Sequence, residues 1–154
     1  MIKADAMHHF HSEQWIGRSV DEVFAFFSDA NNLEAITPRQ LNFRILTPGP
    51  IRLAAGARID YQLKLYGIPL KWATLIESWA PPHEFVDVQL RGPYRVWRHT
   101  HRFLAEGGGT RIVDDVEYEL PLGSLGRLVE ALWARREVAR IFDYRTEVIA
   151  RQFS

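Results

Sequence analysis

The sequence predicts an α+β domain in which a curved, seven-stranded antiparallel sheet wraps around one long C-terminal helix, with two short helices after the first strand. Three observations favour this class. Apolar and polar residues alternate over residues 57–66, as in a strand with one buried face. Strand-like segments separated by proline and glycine turns follow one another over residues 41–120, which is typical of a meander. A helical pattern without proline then occupies residues 124–153.

The first third of the chain predicts one strand and two short helices. Residues 7–16 mix aromatic and polar side chains, which indicates a strand. Ser19 and Glu22 have the spacing of a capping box, ahead of apolar residues at helical spacing within 20–27. A second short helix is predicted at residues 33–36, just before a proline that cannot continue it.

Six further strands complete the predicted sheet. A run of three glycines, Gly107 to Gly109, predicts a hairpin turn between the last two, because no Lys-Ser/Thr follows it as in a phosphate-binding loop. Side-chain parity does not decide which face of two of these strands, 70–79 and 85–91, points inward. The six strands are predicted at residues 41–47, 57–66, 70–79, 85–91, 94–104 and 110–120.

The predicted terminal helix is the only element long enough to cover the sheet. Ser124 can cap its start. Its apolar residues form two stripes that are out of phase around Arg135 and Arg136, which predicts a bend or a change of packing partner there. Since an antiparallel sheet has one face to bury, this helix is expected to cover that face and, with a curved sheet, to leave a space between them.

Bulk composition predicts a single domain over residues 1–154, because 154 residues with 47% apolar residues can bury one full core. Nineteen basic and nineteen acidic residues balance, which argues against nucleic acid or an anionic membrane as partner. Cysteine is absent, which excludes disulfides, thiolate nucleophiles and cysteine-bound zinc. No apolar signal core or membrane-spanning run is visible, so a cytoplasmic location is expected. The oligomeric state stays open.

A family resemblance rests on a series of residues in the second half of the chain. They are the segment 85–89, Gly92, Pro93, Tyr94, Trp97, His99, His101, Phe103, Thr110, Asp114, Tyr118, Pro121 and Gly123. With them the chain resembles the ligand-binding SRPBCC proteins of the START-like superfamily, which includes polyketide cyclases and lipid-transfer domains. The resemblance implies a helix-grip fold with a cavity for a small, largely apolar molecule, such as a lipid, a quinone or a polyketide-like compound. It implies no particular chemistry, because one fold hosts many functions.

Strand parity selects the candidate site. Trp97, His99, His101 and Phe103 are two residues apart, so on a strand they share one face, which their aromatic character predicts to be the inner one. The apolar residues that share a face with Asp87, Gln89 and Asp114 favour the inner side for these polar residues too, although the opposite face of strand 85–91 is equally apolar. The expected ligand contacts are Asp87, Gln89, Trp97, His99, His101, Phe103, Asp114, Tyr118, Leu132 and Phe142.

The predicted hairpin also fixes which residues meet. Pairing outward from a turn at Gly107 and Gly108 places Asp114 opposite His101, and Val116 opposite His99. We therefore expect a polar cluster of His99, His101 and Asp114 facing the cavity, joined by Gln89 or Asp87.

Three functions remain open for this cluster and fold. The first is a binding or carrier protein in which the cluster orients a ligand. The second is a cofactor-free cyclase or dehydratase in which His99, His101 and Asp114 are catalytic. The third is a protein-interaction module that uses a sheet edge or the outer helix face, with the cluster purely structural. His-x-His near aspartates is also the pattern of a two-histidine, one-carboxylate metal site, but neither a metal nor another cofactor is expected.

Overall fold

The computed structural model describes residues 7–65, 67–121 and 123–154, and within them it shows one seven-stranded, fully antiparallel sheet. The spatial order of the strands is β1-β7-β6-β5-β4-β3-β2. The strands are β1 (His8–Ile16), β2 (Arg44–Ile45), β3 (Arg58–Leu65), β4 (Ile68–Ala80), β5 (Glu84–Arg91), β6 (Val96–Glu106) and β7 (Gly109–Glu119). The predicted fold class is confirmed.

Helices occupy the segment after β1 and the C-terminal part of the chain. Helix α1 (Val20–Phe27) and helix α2 (Asn32–Ala35) follow β1, as predicted. The terminal helix consists of α3 (Gly123–Val129), a π-helical turn (Glu130–Ala134) and α4 (Arg135–Gln152). Among the described residues, none of these helices combines the length and apolar character needed to cross a bilayer.

Helix α1 packs against the inner face of the sheet. The Ser19 hydroxyl accepts a hydrogen bond from the Glu22 N–H at 3.2 Å and caps the helix, as the capping-box spacing predicts. Phe24 and Phe27 then pack on Phe103 of β6, with ring centroids 5.3 and 5.2 Å away. All three side chains are buried. This aromatic contact forms the centre of the main core cluster, which also contains Ile16, Val23, Ile36, Ile76, Phe85, Ile112 and Ile149.

The hairpin between β6 and β7 has the predicted register. Gly107 and Gly108 form its two-residue turn with φ of 58° and 76°, values that favour glycine and belong to the turn type whose twist matches paired strands. His101 pairs with Asp114, and His99 with Val116. Both pairings agree with the sequence-based alignment.

The first predicted middle strand, residues 41–47, is reduced to the two residues of β2. A 3₁₀ turn covers Arg39–Leu41, and Asn42 then takes a left-handed conformation with φ of 47°, which breaks the extended backbone. The N–H groups of Leu46 and Thr47 both donate to the Asp60 carbonyl, so regular pairing also ends there.

A β-bulge in β4 explains why parity could not orient this strand. Ile76 pairs with Asp87 and Ser78 with Val86, so Glu77 is the extra residue. The bulge lets Ile76 and Trp79 face the same side although their numbers have opposite parity. Trp79 accordingly packs against the main core cluster, and Ile76 belongs to it.

The terminal helix is interrupted close to the predicted phase change. The prediction that Leu132 lines the cavity is wrong, because Leu132 lies on the outer face of this helix. The π turn ends at Ala134, directly before Arg135. Ala134 is buried and continues the face on which α4 buries Val138 and Phe142. Leu132 lies two residues earlier, nearly opposite on the helix because successive residues are about 100° apart, and it is 64% exposed. Ser124, the predicted cap, has a side chain outside the described part of the structure.

We expect Phe103→Ala to lower the free energy of unfolding by about 3–5 kcal/mol, because the variant leaves a cavity at the centre of the core. Leu104→Ala is the matched control, since Leu104 follows on the opposite face and is 47% exposed; its effect should stay below about 0.5 kcal/mol. Urea titration measures both midpoints. Equal effects of the two substitutions would contradict the assignment of the inner face of β6.

Candidate functional site

A cavity of about 180 Å³ lies between the concave face of the sheet and α4. Its wall is mainly apolar and aromatic. From the sheet come side chains of β3, β4 and β6, and from α4 come Val138, Ile141 and Phe142. Representative sheet residues are Ile59, Tyr61, Leu63, Trp72, Ile76 and Trp97. A hydrophobic cavity between sheet and terminal helix is therefore present, as the sequence predicts.

One wall of the cavity is polar, and it is built by three adjacent strands. Asp87 lies on β5, His99 and His101 on β6, and Asp114 on β7. The strand registers set Asp87 opposite His99 and Asp114 opposite His101. Asp87, His99 and His101 line the cavity, while Asp114 lies buried beside them.

The hydrogen bonds of this polar cluster run diagonally across the strand pairs. His99 Nε2 lies 2.7 Å from Asp114 Oδ1, and His101 Nε2 lies 2.5 Å from Asp87 Oδ2. The two imidazole rings stack with centroids 3.6 Å apart, and the Phe85 ring stacks on His101 at 4.0 Å. His101 is thus held between two rings, and both imidazoles are held at their Nε2 atoms. His99, His101 and Asp114 lie together as the strand register predicts, with Asp87 as the fourth member of the cluster, but Asp114 does not itself line the cavity.

Electrostatics fix the protonation of most of the cluster. Burial raises the pKa of Asp114, but Arg145 and the hydrogen bond from His99 outweigh it, so the net pKa lies below its usual range. Burial likewise raises the pKa of Asp87, but the hydrogen bond from His101 and the coulombic interactions with His101, His99 and Arg145 together outweigh it, so the net pKa is lowered. Burial, aided by neighbouring His99, lowers the pKa of His101 to about 4 despite Asp87. The cluster at neutral pH therefore contains two carboxylates and a neutral His101.

The carboxylates also select the histidine tautomers. An ionised carboxylate only accepts hydrogen bonds, so His101 Nε2–H donates to Asp87 and His99 Nε2–H donates to Asp114. This leaves the lone pair of the neutral His101 on Nδ1. Nδ1 is buried and has no hydrogen-bond partner within the described residues, and its nearest charged neighbour in the cluster is Asp114 Oδ1 at 3.5 Å.

Arg145 of α4 completes the site and was missed by the sequence analysis. Its Nη2 lies 3.9 Å from Asp114 Oδ1, and its guanidinium lies over the rings of Phe27 and Phe142 at 5.8 and 5.1 Å. A signal was available. Arg145 is three residues after Phe142 and four before Ile149, so it lies on the apolar stripe that α4 turns to the sheet.

The other predicted contacts divide into cavity and core residues. Trp97 and Phe142 line the cavity, as predicted. Phe103 and Tyr118 are buried as predicted but pack in core clusters, and neither is among the residues that line the cavity. Gln89 does not join the polar cluster. Its Nε2 donates to the Tyr94 carbonyl at 2.6 Å and its Oε1 accepts from the Tyr94 N–H at 3.2 Å, so it closes the β5–β6 turn.

The cluster also has the spacing of a three-ligand metal site. Asp87, His99 and His101 offer ligand atoms that all lie within 4.8 Å of one another. The Nε2 atoms of both histidines already donate to carboxylates, so a cation bound through Nε2 would have to displace those hydrogen bonds. The nearby Arg145 guanidinium opposes a further positive charge.

Comparisons with known proteins agree on the fold. The sequence model of the family described as polyketide cyclase/dehydrase and lipid transport matches residues 7–153. Protein TTHA0849 from Thermus thermophilus is similar in structure, with a TM-score of 0.72, 20% identity, and coverage of 96% of this chain and 100% of that one. No curated protein has significant sequence similarity to the chain.

Two further solved structures show how widely the fold is shared. A START superfamily protein from Mycobacterium smegmatis has a TM-score of 0.69 at 14% identity, over 96% of this chain and 99% of that one. Major latex-like protein 151 from Panax ginseng has a TM-score of 0.70 at 10% identity, over 97% and 99%. At these identities the likeness shows the fold alone.

We expect acidification from pH 6.5 to about 4 to destabilise the protein through His101. Its pKa of about 4 in the folded chain is below the usual 6.5, so in this window the unfolded chain binds a proton that the folded chain does not. The stabilisation is fully present above pH 6.5 and is lost as the pH falls through 4, on the order of 3 kcal/mol in total.

Urea unfolding across this pH range measures the effect. His101→Gln should flatten the dependence of stability on pH. His11→Gln is the control: hydrogen bonding to Asp115 raises the pKa of the exposed His11, so its contribution falls above pH 6.5 and the slope below should not change. An unchanged slope in His101→Gln would show that His101 titrates alike in both states.

Proposed function

This chain belongs to the polyketide cyclase/dehydrase and lipid-transport family, and from that premise we propose that it binds or carries one small, largely apolar molecule in the cavity beneath α4. The observation that supports the proposal is the cavity itself: a mainly apolar, aromatic space with a polar wall on β5 and β6 and with Glu137 and Arg145 on the α4 side. Small-molecule sites commonly combine such a lining with a few placed polar groups that orient the ligand.

The size of the cavity narrows the class of ligand. Its volume is about 180 Å³, somewhat more than the roughly 150 Å³ of an apolar cavity that accommodates benzene. A compact molecule of one or two rings, such as a quinone head group or a short polyketide-like aromatic compound, matches this space better than an extended lipid chain.

We expect Ile141→Trp to abolish ligand binding, because the larger side chain would occupy the cavity that Ile141 lines from α4. Ala150→Trp introduces the same residue at an exposed position of the same helix and should leave binding unchanged. A thermal-shift screen with lipids, quinones and aromatic polyketides, followed by calorimetry of the hits, measures both variants. Retained affinity in Ile141→Trp would place the ligand outside the cavity.

A second candidate function, a cyclase or dehydratase, is favoured by the polar cluster. His101 is neutral, its Nδ1 carries the lone pair, and its Nε2–H donates to Asp87. Such a histidine can take a proton from a carbon next to a ligand carbonyl. The carbanion then attacks a second carbonyl carbon of the same chain, and the protonated histidine returns its proton to the resulting alkoxide. His99, held by Asp114, would serve as the second acid or base.

If the chain is an enzyme, His99→Ala and His101→Ala should each lower turnover by about 10²–10⁴-fold, the usual contribution of general acid–base catalysis, while ligand affinity changes little. Product formation from a linear poly-β-ketone analogue is followed by mass spectrometry, and affinity by calorimetry. Tight binding of the analogue by the unsubstituted chain without any conversion would leave the carrier function and remove the catalytic one.

A further inference from the structure

We propose that the Arg145 guanidinium binds an uncharged carbonyl oxygen of the cavity ligand, so that the ligand is an apolar ketone, quinone or ester rather than a carboxylic acid. The inference deepens the proposed function and rests on it. It assigns a role to a residue that neither the family match nor the sequence analysis singled out.

The first observation is that Arg145 has buried donors without an acceptor. Its side chain is only 11% exposed, and it lines the cavity. Within the described residues, its Nε and Nη2 atoms are buried and have no hydrogen-bond partner. A buried charged donor left unpaired is costly, so an acceptor that enters the cavity would gain a charge-assisted hydrogen bond.

The neighbours of Arg145 explain why these donors stay free. Asp114 is the adjacent carboxylate, but Nη2 lies 3.9 Å from its Oδ1, which is beyond hydrogen-bond distance. That oxygen instead accepts from His99 at 2.7 Å. The rings of Phe27 and Phe142 pack against the guanidinium and fix its position. The donors are therefore held in place before a ligand binds.

The charge of the cluster favours a neutral acceptor over an anion. Asp87 and Asp114 are ionised, and Arg145 is the cation beside them, while His101 is neutral. A ligand carboxylate would add a third negative charge in this low-dielectric space, whereas a carbonyl oxygen accepts the same hydrogen bond without adding charge.

A second donor in the same cavity fits an acceptor-bearing ligand. Trp72 Nε1 is buried and has no hydrogen-bond partner among the described residues, and Trp72 also lines the cavity. Indole nitrogen only donates. The unpartnered donors of Arg145 and Trp72 therefore favour a ligand that carries hydrogen-bond acceptors. The mainly apolar lining favours a ligand whose remaining atoms are apolar.

The test compares three ligands of one shape by calorimetry at neutral pH. Acetylnaphthalene carries the carbonyl, isopropylnaphthalene replaces its oxygen with a methyl group, and naphthoate replaces the ketone with a carboxylate. The unsubstituted chain should bind the ketone at least about tenfold more tightly than the hydrocarbon, the factor that one charge-assisted hydrogen bond supplies. Naphthoate should bind more weakly than the ketone.

Variants assign the preference to Arg145. In Arg145→Met the ratio of ketone to hydrocarbon affinity should fall towards one. Arg145→Lys keeps a charge beside Asp114 and should retain part of the ratio, which preserves the test if the methionine variant fails to fold. Arg140→Met is the control, because Arg140 is an exposed arginine of the same helix, and the ratio should not change.

Each alternative result has a separate meaning. Equal binding of ketone and hydrocarbon, or a preference that survives in both Arg145 variants, would overturn the carbonyl site and leave the cavity function intact. Tighter binding of naphthoate that is lost in Arg145→Met would show an anion site and would also overturn it. Failure of every probe and of the wider ligand screen would overturn the proposed function and this inference together.

Discussion

The burial of two carboxylates on one wall of the cavity is the constraint on which the site depends. Asp87 and Asp114 remain ionised because a histidine donates to each and because Arg145 supplies a positive charge. Taking any one of these groups away would leave a buried charge with poorer compensation, and such losses are strongly destabilising. The five groups come from three strands and one helix, so the cluster links α4 electrostatically to the sheet.

Diagonal hydrogen bonding gives this wall its shape. Each histidine bonds to the carboxylate that is offset from it along the neighbouring strand, and the two imidazoles are thereby stacked face to face. The Nε2 atoms of both rings are engaged in these bonds, and the Nδ1 atom of His101 is left without a hydrogen-bond partner among the described residues. One set of contacts therefore provides both rigidity and a nitrogen lone pair without a hydrogen-bond partner, which is why the same wall can serve ligand orientation or proton transfer.

The sequence predicted those features that local periodicity controls. Alternation with a period of two placed His99 and His101 on the inner face, and the glycine turn fixed their partners on β7. Prediction from the sequence failed where a contact depends on one local departure, either of the backbone from regular geometry or of a side chain from its expected partner. The left-handed Asn42 shortened β2, the bulge at Glu77 reversed the parity of β4, and Gln89 satisfied the polar groups of a turn instead of joining the cluster. Arg145 was missed because a charged residue on an apolar helical stripe was not read as an inward-facing group.

The π-helical turn lies between α3 and α4. It separates the helix segment that lines the cavity, α4, from a segment with exposed apolar residues, α3. It holds more residues per turn than an α-helix, so the angular position of α3 is set independently of the face that α4 turns to the cavity. A natural or engineered length variant lacking one residue in the turn would rotate α3 by about 100° around the helix axis. The exposed Leu125 and Leu128 would then point in a new direction, while Arg145 and Phe142 kept their places. The exposed surface of α3 can thus change direction without a change in the cavity residues of α4.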